Sequence, residues 1–393
     1  MRECDDWITR YLEMSYNTEP PEIYHKWAAV SCIAACLQRK CIMHQGRLGF
    51  YPNLYILLVG PPGRTRKGTA MSPIMEFLDD PILNIKIAAE AVTREQLIRD
   101  LAEAQDILIT PEGKTIQHCS LTICNSEITV LFGYKNNQLI MDLTDWFDCK
   151  RRWTYRTKNA GTDTVNGVWV NILGATTPTL IRSAFPPEAI GGGLSSRIIF
   201  IYAAHKRKTV VDTSYTSREI ALLEMLKNDL VDIVSMSGEF EQTPGFKKVW
   251  KEWYDYNDEH HPFEDEILSG YCDRRPAMIL KLSMVMSASR SNDMIVDECD
   301  ILRAIEFLTE AEIDMPLALS GVGKGVHADV LARMMAEISF NPDCTIGHLA
   351  WRFRNDVTKW ELDRLLSTLE AMKFCVVVTN TGKIIYNKEF DLV

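Results

Sequence analysis

The chain lacks several features that would have decided its class at once. None of its eleven cysteines forms a C-x-x-C pair, and no apolar run approaches the roughly 20 residues of a membrane span. There is no internal repeat and no low-complexity tract in its 393 residues. The opening segment, MRECDDWITR, is acidic and amphipathic, which excludes a secretory signal. Basic charge is also scarce: 43 Lys and Arg against 53 Asp and Glu leave a net charge of -10, which rules out a uniformly basic nucleic-acid coat but not a local patch. Cys32 and Cys36 lie four apart in an Ala-rich stretch, the setting of packed free thiols rather than of a bridge or a metal site. These absences lead to the expectation of a reduced, cytosolic protein without a membrane segment. What is present is ordinary globular material, 46% hydrophobic and 24% charged, long enough for two or three domains.

Periodicity predicts helices over 5–40, with Trp7, Ile8, Tyr11 and Leu12 on one stripe and Ile23 to Leu37 packing small residues. A short strand pair is expected between Ile42 and Tyr51, a strand at Leu54 to Val59, and helices at Thr69–Leu78 and Val92–Ala104. Leu121–Cys124, Val168–Gly174 and Ile198–Tyr202 read as buried parallel strands, so residues 46–210 form an α/β, three-layer core. The pattern from Ser217 to Ser320 is helical, without a convincing strand. After SGVGKG come three helices and two strands around Asn380-Thr381-Gly382, the winged-helix order. The expected domains are 1–45, 46–210, 211–322 and 323–393.

Five motifs carry chemistry. LYILLVGPPGRTRKGT runs from a strand through a glycine-rich turn to a lysine and a hydroxyl. Gly60, Gly63 and Gly68 allow backbone N–H groups to close on phosphate, Lys67 reaches its outer oxygens, and the next helix presents its positive end. Arg66 occupies the place of the usual glycine, and Gly68 displaces the hydroxyl residue, Thr69, by one position. ATP with Mg2+ is the expected ligand. After the strand Leu121–Cys124, Glu127 is placed to activate water, with Ser126 where a metal-side aspartate is usual; Thr69 and Ser126 are the candidate magnesium ligands. VWVNILGATTP offers Thr176, Thr177 or Asn171 as a γ-phosphate sensor. GGGLSSR places Arg197 at a strand start, where it can reach a neighbouring subunit's nucleotide, and Arg275, beside Arg274, is a candidate lid arginine. Finally, KRRWTYRTKN interleaves Lys150, Arg151, Arg152, Arg156 and Lys158 with Trp153 and Tyr155, cations for phosphates and rings for bases on an expected β-hairpin.

Taken in order, NLYILLVGPPGRTRKGTA, Glu127, the basic hairpin before ATTP, and GGGLSSRIIFIY resemble phage and prophage P-loop proteins found beside or fused to primases. More distantly, they are similar to superfamily 3 and AAA+ helicases. That resemblance implies a three-layer P-loop ATPase core with a helical lid and a winged-helix domain. It also implies an ATP-driven homo-oligomeric ring, hexameric in such motors, whose pore hairpin grips DNA. The implied role is helicase or translocase in phage or mobile-element replication, in the bacterial host cytoplasm, with a primase or polymerase as a further partner. A replication initiator or helicase loader without unwinding activity is the alternative. A small-molecule P-loop kinase is the third reading, opposed by the hairpin and the C-terminal domain, which a kinase does not need.

Overall fold

The structure is a computed structural model. It describes residues 2–109, 113, 115–133, 136–157, 161–184, 193–319, 328–341, 343–378 and 380–387. The chain forms two compact units, Met1–Ser320 and Gly321–Val393.

In the first unit the order is α1 (Trp7–Met14), α2 (Glu22–Leu37), β1 (Cys41–Gln45), β2 (Leu48–Phe50), β3 (Tyr55–Val59), α3 (Lys67–Leu78), α4 (Arg94–Glu103), β4 (Gln105–Ile109) and β5 (Thr115–Asn125). There follow α5 (Thr129–Phe132), α6 (Asn137–Phe147), β6 (Arg152–Thr157), β7 (Gly161–Asn166), β8 (Val168–Thr176), α7 (Pro178–Ala184) and β9 (Ile198–Tyr202). A helical stretch closes it: α8 (Ser217–Ser235), β10 (Gly238–Glu239), β11 (Glu241–Gln242), α9 (Pro244–Glu259), α10 (Glu266–Arg290), β12 (Ile295–Val296) and α11 (Glu298–Ala318).

The central sheet has the order β4-β5-β8-β3-β9. The pairings among β5, β8, β3 and β9 are parallel, and only β4 runs antiparallel to its neighbour. Mixed α/β architecture with a parallel-rich sheet is therefore established. All five residues of β3 and all nine of β8 are buried, as continuous apolar runs between neighbours should be. Asn171 is the polar exception in the middle of β8, and it is fully used: Oδ1 accepts from Leu54 N–H at 3.0 Å, and Nδ2 donates to Ser31 Oγ at 3.0 Å. It holds the sheet together and is removed from the sensor candidates.

The strand expected at Leu121–Cys124 extends over eleven residues and is joined at the edge by β4, which periodicity did not indicate. The segment 1–45 is not a separate domain. Helix α2 is apolar on every side and its residues from Trp27 to Leu37 are all buried, against β3, β8, β9, α3, α8 and α10. It is a structural layer of the core. The helical stretch after 211 is likewise part of the same unit, and three two-residue strands interrupt it; β10 pairs with β1 and β11 with β12.

The second unit contains α12 (Ala328–Phe340), α13 (Ile346–Arg352), α14 (Lys359–Ala371), β13 (Cys375–Val378) and β14 (Lys383–Tyr386), the last two antiparallel. Three helices and a hairpin are thus present in the expected order. Thr358 and Glu361 form a full capping box at the start of α14, and Met334, Leu349, Phe353, Leu366 and Leu369 lie in one buried cluster.

Candidate functional site

Register brings the carboxyl ends of three neighbouring strands level. Val59 pairs with Thr176 on one side and with Tyr202 on the other, while Asn125 pairs with Gly174. The chain therefore turns out of β3, β8 and β5 at the same end of the sheet. Because β3 has later strands on both sides, this is the crevice at which open α/β sheets bind ligands.

Gly60 leaves β3 with its N–H donating to Thr176 O at 3.3 Å. A Cβ there would stand 2.6 Å from both Ala203 O and Tyr24 Oη, so no side chain fits. Tyr24 in turn donates to Val59 O at 2.7 Å, fixing the exit of the strand from below. Gly63 turns the loop with φ 69°, and Arg66, at φ 55°, starts α3. The first-turn N–H groups of Lys67, Gly68 and Thr69 have no helical carbonyl behind them and face the loop. Lys67 Nζ donates to Gly60 O at 2.8 Å and to Pro61 O at 3.4 Å, so the ammonium sits inside the loop. Burial lowers its pKa, and the charge of Glu127 acts in the opposite direction, which places the two groups in one electrostatic environment.

One buried hydroxyl beside the loop, Thr176 Oγ1, has no hydrogen-bond partner. Unpaired buried polar atoms are costly, and a polar ligand in the loop is one way to satisfy them. Glu127 is half-buried beyond β5; its N–H donates to Asn125 Oδ1 at 2.8 Å, and its Oε1 accepts from Thr129 Oγ1 at 2.9 Å. Gly174 is a second obligatory glycine, because a Cβ would lie 2.9 Å from Ile128 Cβ and push on the residue beside Glu127.

The loop thus suits a polyphosphate: free N–H groups, one ammonium, and an unfilled hydroxyl. Its fit to a divalent cation is thinner. Thr69 and Ser126 are exposed hydroxyls, and Glu127 is the nearby carboxylate. Among the described residues, Asp297, Cys299 and Asp300 are the one group with ligand atoms close together. Asp297 caps α11, and both Asp297 and Asp300 pair with Arg290.

Three expected residues have other roles. Arg66 is held by Glu19 at 2.8 Å, which also holds Lys206, so its charge is turned away from the loop's ammonium. Arg197 stands beside Leu54, at the opposite end of β9 from Gly60. It is 6% exposed, with Nη2 on Asp148 at 2.9 Å and Nη1 on Gly193 O. A guanidinium so enclosed cannot project into a neighbouring subunit without breaking both contacts. Arg275 is also buried, its fork bound to Glu312 at 2.6 and 2.7 Å and to Asn257 at 2.6 Å. It lies inside α10 rather than at a helix start, and it ties that helix to α11. Arg274, 40% exposed, reaches Asp148 at 3.6 Å.

The basic segment forms the expected hairpin, β6 with β7, although Lys158 falls outside the described residues. Alternation sorts its side chains. Trp153 packs edge-on against the buried Trp146 at 5.5 Å, and Tyr155 stacks on Trp153 and lies under Arg94. Neither ring is offered to a base; both fasten the hairpin to its support. Arg152, Thr154 and Arg156 take the other face, opposite Asn166, Thr164 and Thr162, with no acid among them. Arg151, Arg152 and Arg156 are exposed, and Lys150 is paired with Asp145 at 2.9 Å. The result is a cationic surface on a rigid stem.

Tyr24, Thr65 and Asn125 support the loop and strand end without having stood out in the sequence, where the only signal was a polar residue beside each motif. No helix among the described residues is long and apolar enough to cross a membrane. No protein-family model matches the chain, and no curated protein matches it either.

Proposed function

We propose that the first unit is a P-loop ATPase core and that the protein is an ATP-driven motor on single-stranded or forked DNA, a helicase or translocase working as a homo-oligomeric ring. The observation that supports this most strongly is the convergence of Lys67, Thr176 and Glu127 at the ends of β3, β8 and β5, with the cationic hairpin emerging from the opposite end of β8. In this reading the loop N–H groups and Lys67 bind the phosphates of ATP, with Thr69 and Ser126 the available hydroxyls for Mg2+. Bound magnesium would neutralise phosphate charge. Glu127, oriented by Thr129, takes the proton from the attacking water, and Thr176 orients the reacting end. The second unit is read as a winged-helix domain.

Initiator or loader activity without unwinding is supported by one feature: Ser126 supplies a neutral oxygen where a carboxylate would bind magnesium more firmly. A forked-duplex unwinding assay separates the two readings.

The hairpin gives the direct test of the DNA partner. On a single strand, every phosphate left without its cation flattens the log–log salt dependence of binding by about 0.7. Arg152→Ala with Arg156→Ala should therefore weaken oligonucleotide binding regardless of sequence and lower the slope by up to about 1.4. ATP binding should persist. An unchanged affinity and slope would remove the hairpin as the DNA grip and leave the second unit, with its exposed Trp351 and Trp360, as the alternative contact.

A further inference from the structure

We infer that a large cleft at the base of the hairpin is a second nucleic-acid site, which holds the sugar–phosphate backbone of the strand that the hairpin grips. The inference rests on the DNA-binding reading of the hairpin and extends it to Arg39 and Lys40, which no motif indicated.

The cleft has a volume of about 1270 Å3. That exceeds the ~300–1,000 Å3 of ordinary small-molecule pockets and suits a short stretch of polymer. Its lining includes the cations Arg39, Lys40 and Arg151, together with Glu239, Glu241 and Asn292. The cleft is continuous with the hairpin. Arg151 O accepts from Gly167 N–H at 2.7 Å, which places it where β7 passes into β8, and Asn166 lines the cleft while pairing across the hairpin with Arg152. A strand lying along Arg156 and Arg152 therefore meets Arg151 and the cleft next.

Two of these cations are held in place by carbonyls, and Arg151 is exposed. Arg39 Nη2 donates to Cys149 O at 3.1 Å, its guanidinium lies 4.3 Å from the centre of the Tyr51 ring, and its Nε is buried without a partner. Lys40 Nζ is held by the carbonyl of Val234. Among the described residues, none of the three cations is paired with a carboxylate. In a chain of net charge -10, three cations without a carboxylate partner lining one polar cleft mark an anion site. Glu239 and Glu241, also in the lining, repel phosphate but can accept from an exocyclic amino group of a base. Phosphates accordingly lie against Arg39 and Arg151. A protein partner would gain little from this cleft, since apart from Tyr51, Ile42, Ile116 and two methionines its lining is polar.

The test uses the full chain and fluorescein-labelled oligothymidylates of increasing length, titrated across salt concentrations. In the wild type, affinity should continue to rise until the oligomer spans both hairpin and cleft. Arg39→Gln with Arg151→Gln should abolish the gain for the longer oligomers and lower the salt slope by up to about 1.4. Short oligomers should lose less affinity than the long ones. Arg151→Gln alone, at an exposed position that does not threaten the fold, should lower the slope by about 0.7. Arg39→Lys with Arg151→Lys should retain the wild-type slope, which a purely structural role for these arginines would not produce. The hairpin pair Arg152→Ala with Arg156→Ala should weaken all lengths. If the cleft variants keep both the length dependence and the slope while the hairpin pair loses binding, the cleft is not a strand site and the hairpin reading stands. If neither set changes binding, both fail.

Discussion

Replacing Lys67 with alanine is expected to abolish useful ATP binding. Among the described residues, its ammonium is the only charged donor inside the loop: Arg66 is occupied by Glu19, and Arg64 stands exposed on the outer turn. In the free protein Lys67 satisfies itself on Gly60 O and Pro61 O, so binding exchanges two carbonyl partners for charge-assisted bonds to phosphate. Bonds of that kind contribute about 1.5–3 kcal/mol each, so each one removed should weaken affinity about ten- to a hundredfold. Fold should be little affected, because the side chain is only part-buried. Titration with a fluorescent ATP analogue checks this. Near wild-type affinity with a native melting curve would mean that the loop is a structural turn.

The second large effect is expected at Glu127. Exchange to glutamine keeps shape and the hydrogen bond from Thr129, but removes the ability to take a proton. General base catalysis commonly contributes about 10²–10⁴ in rate, so turnover should fall by that factor while ATP affinity is kept or rises. The bound state should then accumulate, and with it any ATP-dependent assembly, measurable by light scattering with ATP present. Unchanged turnover in Glu127→Gln would move the catalytic carboxylate elsewhere. A parallel loss of binding would mean that Glu127 shapes the site rather than serving its chemistry.

What could be read from the sequence was what depends on near neighbours. A continuous apolar run such as YILLV, short and ending in a Gly-Pro-Pro-Gly turn, reads as a buried strand, and Gly60 to Thr69 is contiguous, so loop, lysine and helix start were legible together. The second unit was equally plain, because Thr358 and Glu361 mark a helix start and Asn380-Thr381-Gly382 a tight turn. The roles of the arginines were not. Whether an arginine projects or is enclosed depends on partners distant in sequence, Asp148 for Arg197 and Glu312 for Arg275, and no local pattern indicates them. The hairpin shows the same division within one element. Its alternation was visible, but which face carries the rings was decided by Trp146, buried on α6. Arg39 was invisible as a site residue for the same reason, since it meets the hairpin base through residues such as Cys149, 110 positions later.

On the proposed reading, the glycine-rich loop at one end of the sheet and the cationic hairpin at the other are useful to a motor only if each responds to the other. Steady-state ATP hydrolysis by the wild-type protein with magnesium, measured with and without single-stranded DNA, tests that coupling. Turnover should be measurable and should rise several-fold with DNA, and the rise should vanish in Arg152→Ala with Arg156→Ala while the basal rate persists. Turnover indifferent to DNA, or no binding of ATP at all, would contradict the coupling of loop and hairpin.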